Sequence, residues 1–198
     1  MGAIEPQLEE IRTRLSQLLS THLSQLNTDT CVHPTGEIVI RQGAPAERLF
    51  LVSSGVLAVE VVEVGKPARV LALVRTGEIL GEMGLFGDHC HSAQVRVENG
   101  PATLLVARSD DLLKALLFDS ELALEMLALS SARCRQANHN QTLLLDAIQA
   151  LSDGSPDDLE QCCQAMNRGS ASLSRAAAQL RRLHPRQTRS TLQDGTLA

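Results

Sequence analysis

The stretch RTGEILGEMGLFGDHCHSAQVRV, Arg75–Val97, decides how this chain is read. Gly77 and Gly87 punctuate it, and it passes into SAQVRVE (Ser92–Glu98), a β-rich run. The same texture extends on both sides. EIVIR (Glu37–Arg41), RLFLV (Arg48–Val52), VLAVEVVEV (Val56–Val64) and ARVLALV (Ala68–Val74) precede it, and ATLLVA (Ala102–Ala107) follows. Gly36, Gly43, Gly55, Gly65-Lys66-Pro67 and Asn99-Gly100-Pro101 separate these runs. Short strands between regularly spaced turns predict a compact antiparallel barrel or roll.

Helical periods flank this region. Leu8, Ile11, Leu15, Leu18, Leu19, Leu23 and Leu26 recur three and four apart between Glu5 and Leu26, the stripe of an amphipathic helix. Asn27-Thr28-Asp29 ends it with turn-forming residues. Downstream, Ser109-Asp110 can cap a short helix through Phe118, and Asp119-Ser120 a longer one. Leu127, Cys134, Ala137, Leu144, Ile148 and Leu151 keep the spacing of a coiled-coil seam, broken by Ser130 and Gln141. The polar stretch Gln136–Gln141 is expected to interrupt that helix, and Asp153-Gly154 to stop it. Ser155-Pro156-Asp157-Asp158 starts another helix. A last helix is expected over Ala171–Leu183, followed by a polar tail.

Composition removes whole classes of function. With 198 residues the chain can bury a real core but is short for two full-sized domains. Apolar residues make up 43% and charged residues 21%, a globular balance. No apolar run reaches the roughly 18 residues that span a bilayer, and MGAIEPQLEE lacks the basic and apolar segments of a secretory signal. A net charge of −5 argues against a wholly basic nucleic-acid binder. Only Phe50, Phe86 and Phe118 are aromatic, too few to stack single-stranded bases. The five cysteines are scattered and odd in number, which suits reduced thiols and a cytoplasmic location.

Three blocks in the right order resemble the cyclic nucleotide-binding domain family of catabolite activator proteins, protein kinase A regulatory subunits and cyclic-nucleotide-gated channels. GEIVIRQGAPAERLFLVSSGVLAV (Gly36–Val59) resembles the family's opening strands. Arg75–Val97 resembles its phosphate-binding cassette, and ARSDDLLKALLFDSELALEML (Ala107–Leu127) the two helices after the barrel. The resemblance covers about residues 10–135. It implies an α+β fold: an antiparallel β-roll (double-stranded β-helix, jelly-roll-like) flanked by an N-terminal helix and C-terminal helices. The expected organisation is an N-terminal helix at 1–28, the roll with its following helices at 29–135, a helical extension at 136–184 and a disordered tail at 185–198.

The resemblance also implies a ligand set. A cyclic nucleotide presents a phosphate, which calls for backbone N–H groups and a guanidinium, and a ribose hydroxyl, which calls for a carboxylate. Gly81 and Glu82, followed by Met83, match the family's glycine and ribose-binding glutamate, and Ser92-Ala93 its small residues beside the arginine. At the arginine's own position stands His91, and the nearest downstream arginine, Arg96, lies well into the next strand. Histidine is shorter and mostly neutral at pH 7. Losing a charge-assisted pair costs about 2–4 kcal/mol, roughly 30- to 1000-fold in affinity. The pocket is therefore expected to bind cyclic AMP (cAMP) weakly or not at all, with affinity rising as His91 gains a proton.

Other motifs carry less. His89-Cys90-His91 offers soft ligands, but three adjacent residues on one loop rarely converge on one ion, and no metal is assigned. Cys162-Cys163 point to different helix faces and suit packing. No GxSxG, HExxH or P-loop pattern is present, which leaves enzymatic activity without support. The stretch after Ser152 reads as shorter than a winged helix-turn-helix requires, so sequence-specific DNA binding is not expected. Arg168, Arg175, Arg181, Arg182, Arg186 and Arg189 make the end of the chain basic. Ser172–Leu183 is thus a candidate to meet a protein partner, with Leu173, Leu180 and Leu183 on its apolar face.

The reading is a non-enzymatic regulatory or sensor protein that dimerises through the helix around Leu127–Leu151 and acts by protein contact or a non-standard ligand. The alternatives are a weak cAMP-binding signal transducer and a DNA-binding regulator of the catabolite activator type.

Overall fold

In the computed structural model, which describes residues 4–23 and 28–183, helix α1 (Ile4–Leu23) packs by the stripe its sequence displays. Leu8, Ile11, Leu15 and Leu19 are all buried. They lie in one cluster with Leu49, Leu51 and Ile79 of the sheet and with Leu112, Leu122, Met126 and Leu129 of the later helices. Burial of each large side chain here stabilises by about 1.5–3 kcal/mol, so the cluster fastens α1 to the rest of the fold.

Six strands follow: β1 (Asp29–His33), β2 (Ile38–Ile40), β3 (Arg48–Val61), β4 (Arg69–Val74), β5 (Ile79–Leu80) and β6 (Gln94–Arg108). A four-residue helix, α2 (Glu82–Leu85), sits between β5 and β6. The sheet order is β1-β6-β3-β4, with β2 also on β6 and β5 also on β3, and every pairing is antiparallel. Inside the roll, Ile40, Phe50, Val52, Leu57, Val74, Val95, Val97 and Leu104 form a second apolar cluster. The expected β-roll is present.

Two expected breaks are not breaks. RLFLV and VLAVEVVEV are one strand, as are SAQVRVE and ATLLVA. β3 and β6 pair along their length and absorb Gly55 and Asn99-Gly100-Pro101 as register shifts between Val52 and Leu57. A bulge bends a ladder without ending it, which lets long strands curl into a roll. β1 and β5 were not among the expected strands. They are short, and their partners, β6 and β3, are distant in sequence.

The helices are α3 (Ser109–Phe118), α4 (Ser120–Ser152), α5 (Pro156–Asn167) and α6 (Ala171–Leu183). Asp119 caps α4, its carboxylate accepting from the N–H groups of Glu121 at 2.9 Å and Leu122 at 3.1 Å. The expected interruption at Gln136–Gln141 does not occur. Gln136 donates to Asn140 at 2.9 Å and Thr142 to the Asn138 carbonyl at 3.0 Å, so these polar side chains bond along the helix.

α5 and α6 fold back on the second half of α4. Ala147, Ala150, Leu159, Cys163, Met166, Leu173 and Ala177 make a third cluster, with Leu144 and Leu151 packed against it. The expected dimer seam is therefore divided: Leu144 and Leu151 are covered within the chain, while Leu127 and Ile148 are 66% and 55% exposed. On α6, Leu173 is buried and Leu180 partly so, but Leu183 faces solvent, short of the full stripe expected. The expected tail at 185–198, with Arg186 and Arg189, lies outside the described residues, as does Leu26.

Candidate ligand-binding cassette

Strand β5 delivers the cassette. Phe50 pairs with Leu80 and Leu51 with Ile79, so the chain leaves the sheet at Gly81 and turns at once into α2. Gly81 has φ 94°, and a Cβ there would lie 2.8 Å from the Arg48 carbonyl oxygen. Only glycine takes that left-handed turn without strain. Gly84 answers a different demand: a Cβ there would meet Ala46 Cβ at 2.5 Å and the Cys90 carbonyl oxygen at 2.8 Å.

The far arm of the cassette is strapped to the loop after β2. His91 N–H donates to the Ala44 carbonyl at 2.9 Å, Gly43 N–H to the His91 carbonyl at 2.8 Å, and Ala46 N–H to the His89 carbonyl at 2.8 Å. Ser109, opening α3, donates its hydroxyl to the Ala46 carbonyl at 2.7 Å. His89 holds φ 59°, unusual for a residue with a side chain.

The two arms meet. The His91 ring lies over Gly81, its Cε1 3.4 Å from where a Gly81 Cβ would stand. His91 is half-buried, and that burial lowers its pKa below the ordinary histidine value. It is neutral at pH 7. Ser92 is exposed and Ala93 half-buried as the chain enters β6, and Met83 projects into solvent at 64% exposure.

Glu82 is buried, and its carboxylate is bound. Arg133 of α4 donates to Glu82 Oε1 and, at 3.2 Å, to the Ile79 carbonyl. Beside this pair, Arg12 of α1 bonds Glu78 at 2.9 Å, and Glu78 Oε1 accepts from Arg75 N–H at 3.1 Å. Burial pulls the Arg133 guanidinium below its usual value, with the Glu78 charge opposing and the Arg12 charge reinforcing that shift. Arg96 offers no substitute for the missing arginine. It forks onto Glu60 at 3.1 and 2.6 Å, reaches Glu98 at 2.7 Å, and stands on the strand face opposite Val95 and Val97.

The structure thus brings His91 against Gly81 and turns the Glu82 carboxylate to Arg133, while Met83 and Ser92 are exposed and Ala93 is half-buried at the start of β6. Neither Arg133 nor the Arg12–Glu78 pair was foreseen from the sequence. Arg133 stands 51 residues from its partner, and no local pattern marks it as different from Arg135.

Comparison with known proteins agrees with this architecture. Residues 31–117 match the model of the cyclic nucleotide-binding domain. The chain is 32% identical over 114 residues to a cyclic AMP receptor protein from Thermus thermophilus, covering 57% of this chain and 52% of the relative, about half its length. Among solved structures, the catabolite activator protein of Thermus thermophilus superposes with a TM-score of 0.55 at 20% identity, over 84% of this chain and 93% of that one. The sensor domain of the transcriptional regulator DNR from Pseudomonas aeruginosa gives 0.53 at 24% identity, over 66% and 95%. Both share the fold. The likeness to the cyclic nucleotide-binding domain is thus shown over residues 31–117, a span that contains the segment Gly81–Ala93.

Proposed function

We propose that this protein is a non-enzymatic, cytoplasmic regulatory module whose cassette controls the setting of α4, through a protein contact or a non-standard ligand, and is not a high-affinity cAMP receptor. One observation carries the reading. The buried carboxylate of Glu82 is bound by Arg133 of α4, while a neutral, half-buried His91 stands where the family places its phosphate-binding arginine. Whatever occupies Gly81, Glu82, Met83, His91, Ser92 and Ala93 must therefore act on the Glu82–Arg133 pair, and through it on the helix.

The division at 135/136 is a functional one. Leu122, Met126, Leu129 and Ala132 of α4 pack into the roll's cluster, whereas Leu143, Ala147 and Ala150 pack with α5 and α6. Between and beside them, Leu124, Leu127, Leu145 and Ile148 are each more than half exposed. With Ser131, Cys134, Asn138 and Gln141 they keep a three-four spacing along one face, which favours a homodimer along α4. No helix among the described residues is long and apolar enough to cross a membrane.

The basic helix is only partly free for a partner. Arg181 donates twice to Glu160 at 2.8 Å, and Arg175 reaches the Val70 carbonyl at 3.5 Å. The expectation against sequence-specific DNA contact finds no support in the comparisons, since one fold neighbour is the sensor domain of a transcriptional regulator.

A thermal-shift screen with cAMP, cyclic GMP, ATP and AMP tests the proposal, because any ligand stabilises the fold according to its affinity. No shift with cAMP at about 100 μM supports it, and a shift of several degrees at that concentration overturns it. A second reading, weak cAMP binding, is favoured by the retained left-handed Gly81 and by Ser92-Ala93. Under it, shifts emerge only at millimolar cAMP and grow on His91→Arg.

A further inference from the structure

A cleft of about 330 Å³ opens between α1 and the turn joining β4 to β5, lined by Glu9, Arg12, Ser16, Arg75, Thr76 and Glu78 among others. We propose that it is a second ligand site, for a small sugar or polyol carrying one phosphate.

The lining divides into groups already engaged and groups free to act. Glu78 is buried and saturated: one oxygen takes Arg75 N–H at 3.1 Å and the other Arg12 Nη2 at 2.9 Å. That pair holds Arg12 in place, and Arg12 Nε is left buried with no partner among the described residues. The Arg75 guanidinium, by contrast, is exposed, and neither it nor the hydroxyls of Ser16 and Thr76 has a partner among the described residues. Arg12 Nε is sealed from solvent, so the donors that a phosphate in the cleft can reach are the Arg75 guanidinium and the hydroxyls of Ser16 and Thr76.

Charge and size narrow the ligand. Arg12 is shared between Glu9, at 3.4 Å, and Glu78, at 2.9 Å. That leaves Arg75 as the lining guanidinium with no carboxylate partner among the described residues, a match for one phosphate and not for a polyphosphate. The exposed Glu9 carboxylate accepts hydrogen bonds, which suits a ligand with hydroxyl groups. The volume falls at the small end of ordinary ligand sites, roughly 300–1,000 Å³, and exceeds what inorganic phosphate fills. The cleft also touches the cassette's support, since Glu78 precedes β5 and its charge acts on Arg133.

Glucose 6-phosphate, glucose and inorganic phosphate, each at about 10 mM, are suitable probes in thermal shift and calorimetry of the full chain. The expected result is stabilisation by glucose 6-phosphate and none by glucose. Affinity should fall roughly tenfold or more on Arg75→Gln, and also on Ser16→Ala, while Arg69→Gln and His91→Ala leave it unchanged. The absence of any shift, or a shift indifferent to Arg75→Gln, overturns the proposal. So does equal stabilisation by inorganic phosphate, which would remove the sugar, or loss of binding on His91→Ala, which would place the ligand in the cassette.

Discussion

Arg133 of α4 grips Glu82 of the cassette across 51 residues of sequence and bonds the Ile79 carbonyl in the same reach. The contact joins the segment that would sense a ligand to the helix that would report it. Truncating one member leaves the other buried, polar and unpaired. Arg133→Met is expected to lower stability by about 2–4 kcal/mol, less than for a wholly enclosed pair because Arg133 retains some exposure. Adding Glu82→Gln should recover much of that loss. Urea denaturation of the two single variants and the double variant measures the coupling, and additive losses would mean the pair does not act as a unit.

Gly84 has no room for a methyl group. Gly84→Ala should cost about 1–3 kcal/mol, since Ala46 Cβ and the Cys90 carbonyl are both too close to give way freely. Ala46→Gly in the same chain should restore part of it. Thermal unfolding of both variants checks this.

The roll was legible where periods are local, and illegible where the deciding contact is not. Leu8, Ile11, Leu15 and Leu19 announced α1, and the cassette glycines announced its turns. Gly55 misled, because a glycine that bends a strand and one that ends it look alike without the partner strand. The seam on α4 misled for a related reason. Leu144 belongs to a covered face and Ile148 to an open one, and only the return of α5 and α6 separates them. In the site, the place of Gly81 followed from the resemblance to the family's cassette, but Arg133 could not be read, since its meaning lies in a side chain delivered by another element.

Acid should weaken the junction of α3 and α4. Asp119 has its pKa held below the ordinary value, chiefly by the Leu122 N–H and then by His22, whose Nε2 lies 2.6 Å from its carboxylate. A carboxyl with a depressed folded pKa contributes stability above its unfolded value of 3.8, and that contribution is lost as pH falls through the lower folded value. Asp119→Asn, which keeps an acceptor at the cap but does not titrate, should flatten this part of the stability curve measured by denaturation between pH 5 and pH 2.

His91 titrates with the same sign for a different cause. Burial lowers its pKa from 6.5, so the unfolded chain binds the proton more readily and stability declines as pH drops through 6.5 toward the folded value. His91→Gln should remove that slope. The gain in phosphate affinity expected from a charged His91 is correspondingly displaced to pH values below 6.5.

The exposed face of α4 should hold two copies together. Leu127→Glu with Ile148→Glu places charge on the stripe without touching the clusters inside the chain. Sedimentation at high micromolar concentration is expected to show a dimer for the parent chain and a monomer near 21.3 kDa for this variant. A parent chain that sediments as a monomer would remove the dimer.

Titration calorimetry with cAMP at pH 7.5, on the parent chain and on His91→Arg, tests the central claim most directly. The claim is that the cassette keeps its backbone frame but lacks the charge that holds a cyclic phosphate. The expected result is a dissociation constant weaker than about 100 μM for the parent, with a gain of at least tenfold on His91→Arg. A parent constant near 1 μM or tighter, unchanged by His91→Arg, would contradict it.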